Sequence, residues 1–406
     1  MRICKIFQGD YPWDVRVEKI AKALARFGHE VHLLCRNTRG ETCYEEIDGF
    51  HIHRLPVLTS SGKLNDLLSY PWPLNPFWII WIRKAALLCR ADALLVRDLP
   101  LSLTAVIVGR SEKLPVILDM AENYPAAMAD WRRWERGFEK MRNSVVRNIW
   151  AARRIEDLVL KAVDHVIVVA EESRERLIEK GLPCSRISIV GNTPDLRFFS
   201  PARSPEPDLA ERFAGRFVIS YIGEILMHRG LDIAVKAMPR IIEAIPNACL
   251  LLVGDGKRRE REQLKRLASD LGVRGHVVFE GWVEFARVPD YIKVSDVCVV
   301  PHRKTEHVNT TLPNKLFDYM ALGKPVVVSD AAPLKRIVEQ EGCGLSFASG
   351  DAAEFAQAVL KLKSEEIRRK LGGQGMNAVM RRYNWEVDSR VLAGVFEALE
   401  GRRMRS

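Results

Sequence analysis

No two cysteines of this 406-residue chain form a CxxC pair; the eight stand apart at positions 4, 35, 43, 89, 184, 249, 298 and 343. Cys4, Cys35, Cys249 and Cys298 fall inside apolar runs, as buried free thiols do in a reducing compartment, so neither a disulfide framework nor a zinc module is expected. No segment reaches the ~18 apolar residues that a bilayer-spanning helix needs. The opening MRICKIFQGD reads as a strand: its apolar run is too short for a signal peptide. The Gly-x-Gly-x-x-Gly spacing of a dinucleotide fold is absent, and so is a DxD-type carboxylate pair after a strand. His51 and His53 alternate on one strand and His29 and His32 stand three apart, but neither pair has a third ligand at a suitable spacing. These histidines are read as structural, and no metal is expected. Short-period repeats, low-complexity tracts and nucleic-acid modules are lacking too. A cytoplasmic protein is the expectation.

The chain has 47% hydrophobic and 28% charged residues, an ordinary globular balance, at a length that exceeds one core. The net charge of +10 is partly concentrated in Trp131–Lys161, which holds nine basic residues against four acidic ones. Such a face implies an anionic partner, and without a nucleic-acid module a phospholipid or phosphorylated substrate fits better than nucleic acid. Trp131, Trp134, Phe138, Met141, Val145 and Ile149 recur there at helical spacing, a pattern that serves either a lipid interface or a core. Tyr70–Lys84 crowds Trp72, Phe77, Trp78 and Trp81 beside basic residues with the same two readings.

Apolar strand-like runs alternate with amphipathic stretches throughout, the pattern of parallel sheets covered on both faces by helices. Strands are expected at Arg2–Phe7, Glu30–Cys35, His51–Leu55, Ala93–Arg97, Val116–Met120, His165–Ala170 and Ile187–Val190. Four prolines and weak periodicity mark residues 192–216 as an interdomain connection, after which the pattern restarts. The division is therefore 1–195, 196–384, and a helical tail over 385–406. Two doubly wound α/β domains facing across a cleft follow, with ligands at the carboxyl edges of the strands.

The densest motif is Thr310–Asp330, TTLPNKLFDYMALGKPVVVSD. A loop carrying Thr311, Leu312, Pro313, Asn314 and Lys315 opens an apolar helix, whose unpaired first amides and positive dipole end suit a phosphate. Lys315 adds a cation, and Asp318, one turn in, could accept from ribose hydroxyls. This segment resembles the nucleotide-sugar signature of family 4 retaining glycosyltransferases of the GT-B fold. Asp318 stands at the second acidic position, Ala321, Gly323, Pro325, Val326 and Val327 match the tail, and Thr310 replaces the first acidic residue. The PNKLFDYMA wording is similar to a branch that builds bacterial surface polysaccharides.

The resemblance implies a GT-B fold whose last helix returns to the amino-terminal domain, and it carries further residues. Pro12, Asp14 and Arg16 match a P-x-D-x-R pattern on the acceptor side, with Gly9 before them; an N-cap role for Asp14 competes. In the Asp119–Pro125 motif, Ala121 stands where many members have histidine, leaving Glu122 as the polar residue nearest the reacting sugar and Asn123 beside the acceptor. A helix cap, or a carboxylate paired with Arg97, is the rival for Glu122. Gly223 and Arg229 match the diphosphate-gripping glycine and second cation, whereas Glu224 stands where an arginine is common. Gly254 admits close backbone approach, and Trp282 with Val283 resembles the base-binding loop. Catalytic roles are expected of Glu122, Arg229 and Asp318. The expected activity is metal-independent transfer from a nucleoside diphosphate sugar, UDP by preference, to a glycan or polyprenyl-linked acceptor with retention, at the inner face of the membrane. A non-catalytic partner or glycan-binding subunit, and a GT-B epimerase, are the alternatives.

Overall fold

A computed structural model describes residues 1–12, 14–134, 148–199 and 204–403. The chain folds as two compact units, Met1–Gly191 with Asp388–Ser406, and Asn192–Val387. The first unit holds eight strands: β1 (Arg2–Asp10), β2 (Glu30–Arg36), β3 (Tyr44–Ile47), β4 (Phe50–Arg54), β5 (Ala93–Arg97), β6 (Val116–Met120), β7 (His165–Val168) and β8 (Ile187–Ile189). Their order is β3-β4-β2-β1-β5-β6-β7-β8, parallel except for the antiparallel edge strand β3. Continuous apolar runs such as ALLVR and VILDM, buried at every position, are what a sheet covered on both faces requires. The order reverses between β1 and β5, which creates a crevice at their carboxyl ends.

Helix Pro76–Leu88 starts on Pro76 after its N-cap Asn75, and buries Trp78 and Ile82. The Trp78 indole donates to the Ser69 carbonyl at 2.9 Å, so Trp78 belongs to the core and not to a surface stripe. Of the basic aromatic segment Trp131–Lys161, residues 135–147 lie outside the described residues. Its flanks are helices, Tyr124–Trp134 and Ile149–Ala162. Trp150 is 67% exposed there, while Glu156 is buried between Arg176 and Lys180 at 2.5 Å. The carboxyl-terminal helix Trp385–Arg403 packs Phe396 into the first unit, 5.7 Å from the His29 ring, and its Ser389 hydroxyl accepts from Arg26 at 2.9 Å.

The second unit contains β9 (Phe217–Ile222), β10 (Ala248–Val253), β11 (Val277–Gly281), β12 (Val297–Val300), β13 (Val326–Ser329) and β14 (Gly344–Phe347). All are parallel in the order β11-β10-β9-β12-β13-β14, the doubly wound Rossmann order with its switch point between β9 and β12. The expected connection is not structureless. Pro207–Phe213 is a helix, with Pro207 in its first turn and Leu209 and Phe213, four apart, buried on one face. Among the described residues no helix is long and apolar enough to cross a membrane.

Candidate functional site

In the second unit the turn after β9 and the turn after β10 run against each other. The Gly223 amide donates to the Val253 carbonyl at 2.8 Å, and the Ile225 amide to the Asp255 carbonyl at 2.8 Å. A Cβ on Gly254 would lie 2.1 Å from the Gly223 oxygen, and one on Gly256 2.0 Å from the Ile225 oxygen, so only glycine lets these turns approach. The Gly254 amide donates in turn to the Gly281 carbonyl at 2.7 Å, which brings Trp282 and Val283 alongside. Trp282 is 72% exposed, an aromatic face presented to solvent at the end of β11.

Lys315 enters from the next layer, on helix Asn314–Ala321. Its ammonium sits 3.7 Å from the centre of the Tyr221 ring and fills the space that a Cβ on Gly223 would occupy, 2.5 Å away. Tyr319 of the same helix accepts the Ile222 amide proton at 2.8 Å and pins the helix to the end of β9. Arg229 ends the short Met227–Arg229 turn; its Nε is buried with no hydrogen-bond partner among the described residues. Gly230 follows with φ +71°, and a Cβ there would meet the Pro301 oxygen at 1.9 Å, which locks this turn to the end of β12. His302, buried one residue further, also has an unpartnered Nε2.

Arg229, Lys315 and His302 thus gather positive and donor groups at the β9/β12 switch point. Burial, then the charge of Arg229, holds Lys315 well below the usual lysine range. Burial and the neighbouring Arg229 and Lys315 also push His302 well down, and His228 falls to about 3 through burial and Arg229. Glu224 and Asp318 oppose the shift at Lys315 without cancelling it. Such a cluster favours an anion.

The other expected donor residues lie in the same loop. Leu312 is buried, Pro313 caps the helix without a side-chain bond, and Asn314 is exposed at its start. The Thr310 hydroxyl donates to the carbonyls of Glu306 and His307, and the Thr311 hydroxyl to that of His307, so both side chains brace the preceding turn. Asp318 is half-buried one turn into the helix.

In the first unit, a buried charge network occupies the carboxyl ends of β1, β5 and β6. The Arg16 guanidinium grips Asp119 at 2.7 Å and 3.0 Å and reaches the Gly191 carbonyl at 3.1 Å. Lys5 and Arg97 each lie 3.7 Å from the Asp119 carboxylate, and Arg97 reaches Asp14 at 3.3 Å and Asp98 at 3.4 Å. Burial alone would raise the Asp119 carboxyl; Arg16, Arg97 and Lys5 outweigh it and hold the group well below the usual carboxylate range. Burial lowers Lys5 to about 8 and raises Asp98 to about 7.

This network relocates several acceptor-side residues. Arg16 is 4% exposed and committed to Asp119, so it is a buried structural cation. Asp14 is the N-cap of helix Val15–Arg26, accepting from the Arg16 and Val17 amides. Gly9 lies within β1, where a Cβ would strike the Phe7 ring at 2.7 Å. The Asp98 carboxylate receives the amides of Ala121 and Glu122 at 2.9 and 3.3 Å, which fixes the loop that presents the half-buried Glu122. Asn123 caps helix Tyr124–Trp134 through its oxygens, and its buried Nδ2 has no partner among the described residues. Sequence reasoning missed Lys5 and His302. A lone lysine inside the apolar run of β1, and a histidine just after the apolar VCVV strand, were the available signals.

Residues 14–193 match the family model described as Glycosyl transferase 4-like domain, and residues 216–365 match Glycosyl transferases group 1. With the paired Rossmann-like sheets, these matches define the class: the chain belongs, through both of its domains, to the glycosyltransferases of the GT-B fold. It is 30% identical over 172 residues to the phosphatidyl-myo-inositol mannosyltransferase of Mycobacterium leprae, covering 42% of this chain and 43% of that protein. It is 26% identical over 247 residues to the GDP-mannose-dependent alpha-(1-6)-phosphatidylinositol monomannoside mannosyltransferase of Mycobacterium tuberculosis, covering 59% and 62% respectively. The chain thus spans about half the length of the curated relatives it matches. Its fold is shared with sucrose-phosphate synthase of Thermosynechococcus elongatus (TM-score 0.79, 19% identity, 99% and 100% of the two chains). HepE of Anabaena, solved in complex with UDP, is also similar (TM-score 0.72, 15% identity, 98% and 100%).

Proposed function

We propose that the chain transfers a sugar from a nucleoside diphosphate donor, UDP by preference, to a glycan or lipid-linked glycan acceptor with retention of anomeric configuration, in the building of a surface polysaccharide. One observation carries the reading. Arg229 and Lys315 converge on the β9/β12 switch point with no hydrogen bond to a carboxylate among the described residues, beside turns that glycines hold closely together. A diphosphate supplies the missing negative charge. Arg229 can meet two phosphate oxygens with its planar fork, Lys315 acts as a point charge, and the first amides of helix Asn314–Ala321 add the positive end of a dipole. Asp318 then faces the ribose, and Trp282 with Val283 the base.

Catalysis under this reading is mainly electrostatic. Arg229, with Lys315 once the bound anion has restored its charge, stabilises charge as it develops on the departing diphosphate, without a metal ion. A phosphate oxygen of the leaving group takes the acceptor proton on the face where the new bond forms, so the protein needs no separate nucleophile. Glu122, presented by the Asp98-braced loop of the first unit, is kept as that unit's candidate catalytic residue. A cytoplasmic site on the inner face of the membrane suits a lipid-linked acceptor, with the basic residues of Trp131–Lys161 meeting the anionic surface.

A guanine nucleotide is a second reading, favoured by the GDP-mannose-dependent relatives. The test is to incubate the purified chain with a panel of UDP- and GDP-sugars and polyprenyl-linked or glycan acceptors in EDTA. Release of UDP, with an axial donor giving an axial product by proton NMR, is expected. Release of GDP alone selects the second reading; absence of transfer from every donor leaves the non-catalytic binding role.

A further inference from the structure

The outer strands of the first sheet bring together side chains that donor chemistry does not use. Parallel pairing sets His32 of β2 opposite His51 of β4, and Leu34 opposite His53. The antiparallel edge strand β3 sets Tyr44 against His53 and Glu46 against His51. Alternation along β2 and β4 places Glu30 and His32, two apart, and His51 and His53, two apart, on one face of the sheet. The His32 and His51 rings stack with centroids 4.8 Å apart and planes 18° apart. His32 Nε2 lies 2.9 Å from Glu30 Oε1, and His32 Nδ1 lies 3.0 Å from His53 Nε2. One ligand atom each from Glu30, His32 and His51 lies within 4.8 Å of the other two.

We infer that Glu30, His32 and His51 form a binding site for one divalent transition-metal ion of the zinc class, which ties β4 to β2. Two imidazoles and a carboxylate are the donor set that zinc accepts, with further positions left to water. Zinc bonds of about 2.0–2.2 Å in tetrahedral geometry place ligand atoms roughly 3.4 Å apart, within the range that these three side chains span. Exposed Glu30 can adjust by a rotamer shift, while His32 is buried and fixed.

Two neighbours orient the rings as metal sites require. The Tyr44 hydroxyl lies 3.0 Å from His51 Nδ1, which leaves Nε2 for the ion. When an ion takes His32 Nε2, the ring proton moves to Nδ1, where His53 Nε2 accepts it and His53 keeps its own proton on Nδ1.

The site is in the first unit, so its test is independent of nucleotide binding. Cys43 and Cys184 are exposed thiols and would compete for zinc, so the parent for the experiment carries Cys43→Ser and Cys184→Ser. Zinc chloride is titrated into the full chain by calorimetry, and cobalt(II) is added separately to read its visible absorption. One zinc ion per chain, a rise in thermal midpoint with zinc, and cobalt bands of a four-coordinate nitrogen and oxygen site are expected. His51→Gln and Glu30→Gln, at incompletely buried positions, should keep the metal-free midpoint, weaken zinc binding at least tenfold and abolish the cobalt bands. No saturable zinc uptake by the parent, or uptake unchanged in both variants, overturns the inference.

Discussion

Replacing Gly223 by alanine perturbs the donor site through a single methyl group. Gly223 has φ +135°, a region that L residues avoid, and its Cβ would sit 2.5 Å from Lys315 Nζ and 3.2 Å from Cε. Backbone strain of this kind costs about 1–3 kcal/mol. In a domain of this size that corresponds to a fall in thermal midpoint of about 2–12 °C. The ammonium must also leave the Tyr221 ring, giving up an interaction worth about 0.5–2 kcal/mol. If Lys315 binds diphosphate, its displacement removes a charge-assisted bond of about 1.5–3 kcal/mol. Donor affinity should then fall roughly 10- to 150-fold, at 1.4 kcal/mol per factor of ten. Differential scanning fluorimetry reads the first effect, and UDP titration below the new midpoint reads the second. A variant with wild-type midpoint and wild-type UDP affinity would refute both the packing argument and the place of Lys315.

Asp119→Asn should destabilise the chain by about 3–5 kcal/mol in urea unfolding, because it strands Arg16, Arg97 and Lys5 beside an amide; a loss below about 1 kcal/mol contradicts the network. Because the Asp119 carboxyl is held below its unfolded range, its contribution is fully present above about pH 4 and is lost only as acid protonates the folded carboxylate; the variant should therefore approach the wild type only in strong acid. UDP binding should take up protons and weaken as pH rises, since burial and Arg229 lower Lys315 and a bound anion restores its charge; calorimetry in buffers of different ionisation enthalpy that yields no buffer dependence rules this out. Asp318→Ala should keep the fold while losing donor affinity, and undiminished turnover with every accepted donor would end the ribose assignment.

The strands were readable where the chain is apolar on both faces: Ala93–Arg97 and Val116–Met120 form at the expected residues. The edge strand Tyr44–Ile47 and helix Gly62–Leu68 were missed because they bury little, and YEEI has no apolar alternation to detect. Glycines with a local signature, Gly223 and Gly254, fall in the turns where a ligand loop was expected. Arg16 shows what local reading cannot supply. At the start of an amphipathic helix it looks like a solvated cation, and only the sheet brings Asp119, 103 residues away, within 2.7 Å. His302 was hidden for the same reason, since its neighbours Arg229 and Lys315 come from other turns. The His32, His51 and His53 cluster likewise appears only through the β2–β4 register.

The central claim is that Arg229 and Lys315, gathered at the β9/β12 switch point with no carboxylate hydrogen bond among the described residues, bind a nucleoside diphosphate. Isothermal titration of UDP into the full chain in EDTA, repeated with Arg229→Ala, tests it most directly. The account predicts saturable binding at one site without added metal, weakened at least tenfold in the variant, as loss of a charge-assisted bond of about 1.5–3 kcal/mol requires. Binding that is absent without magnesium, or equal in wild type and variant, would contradict it.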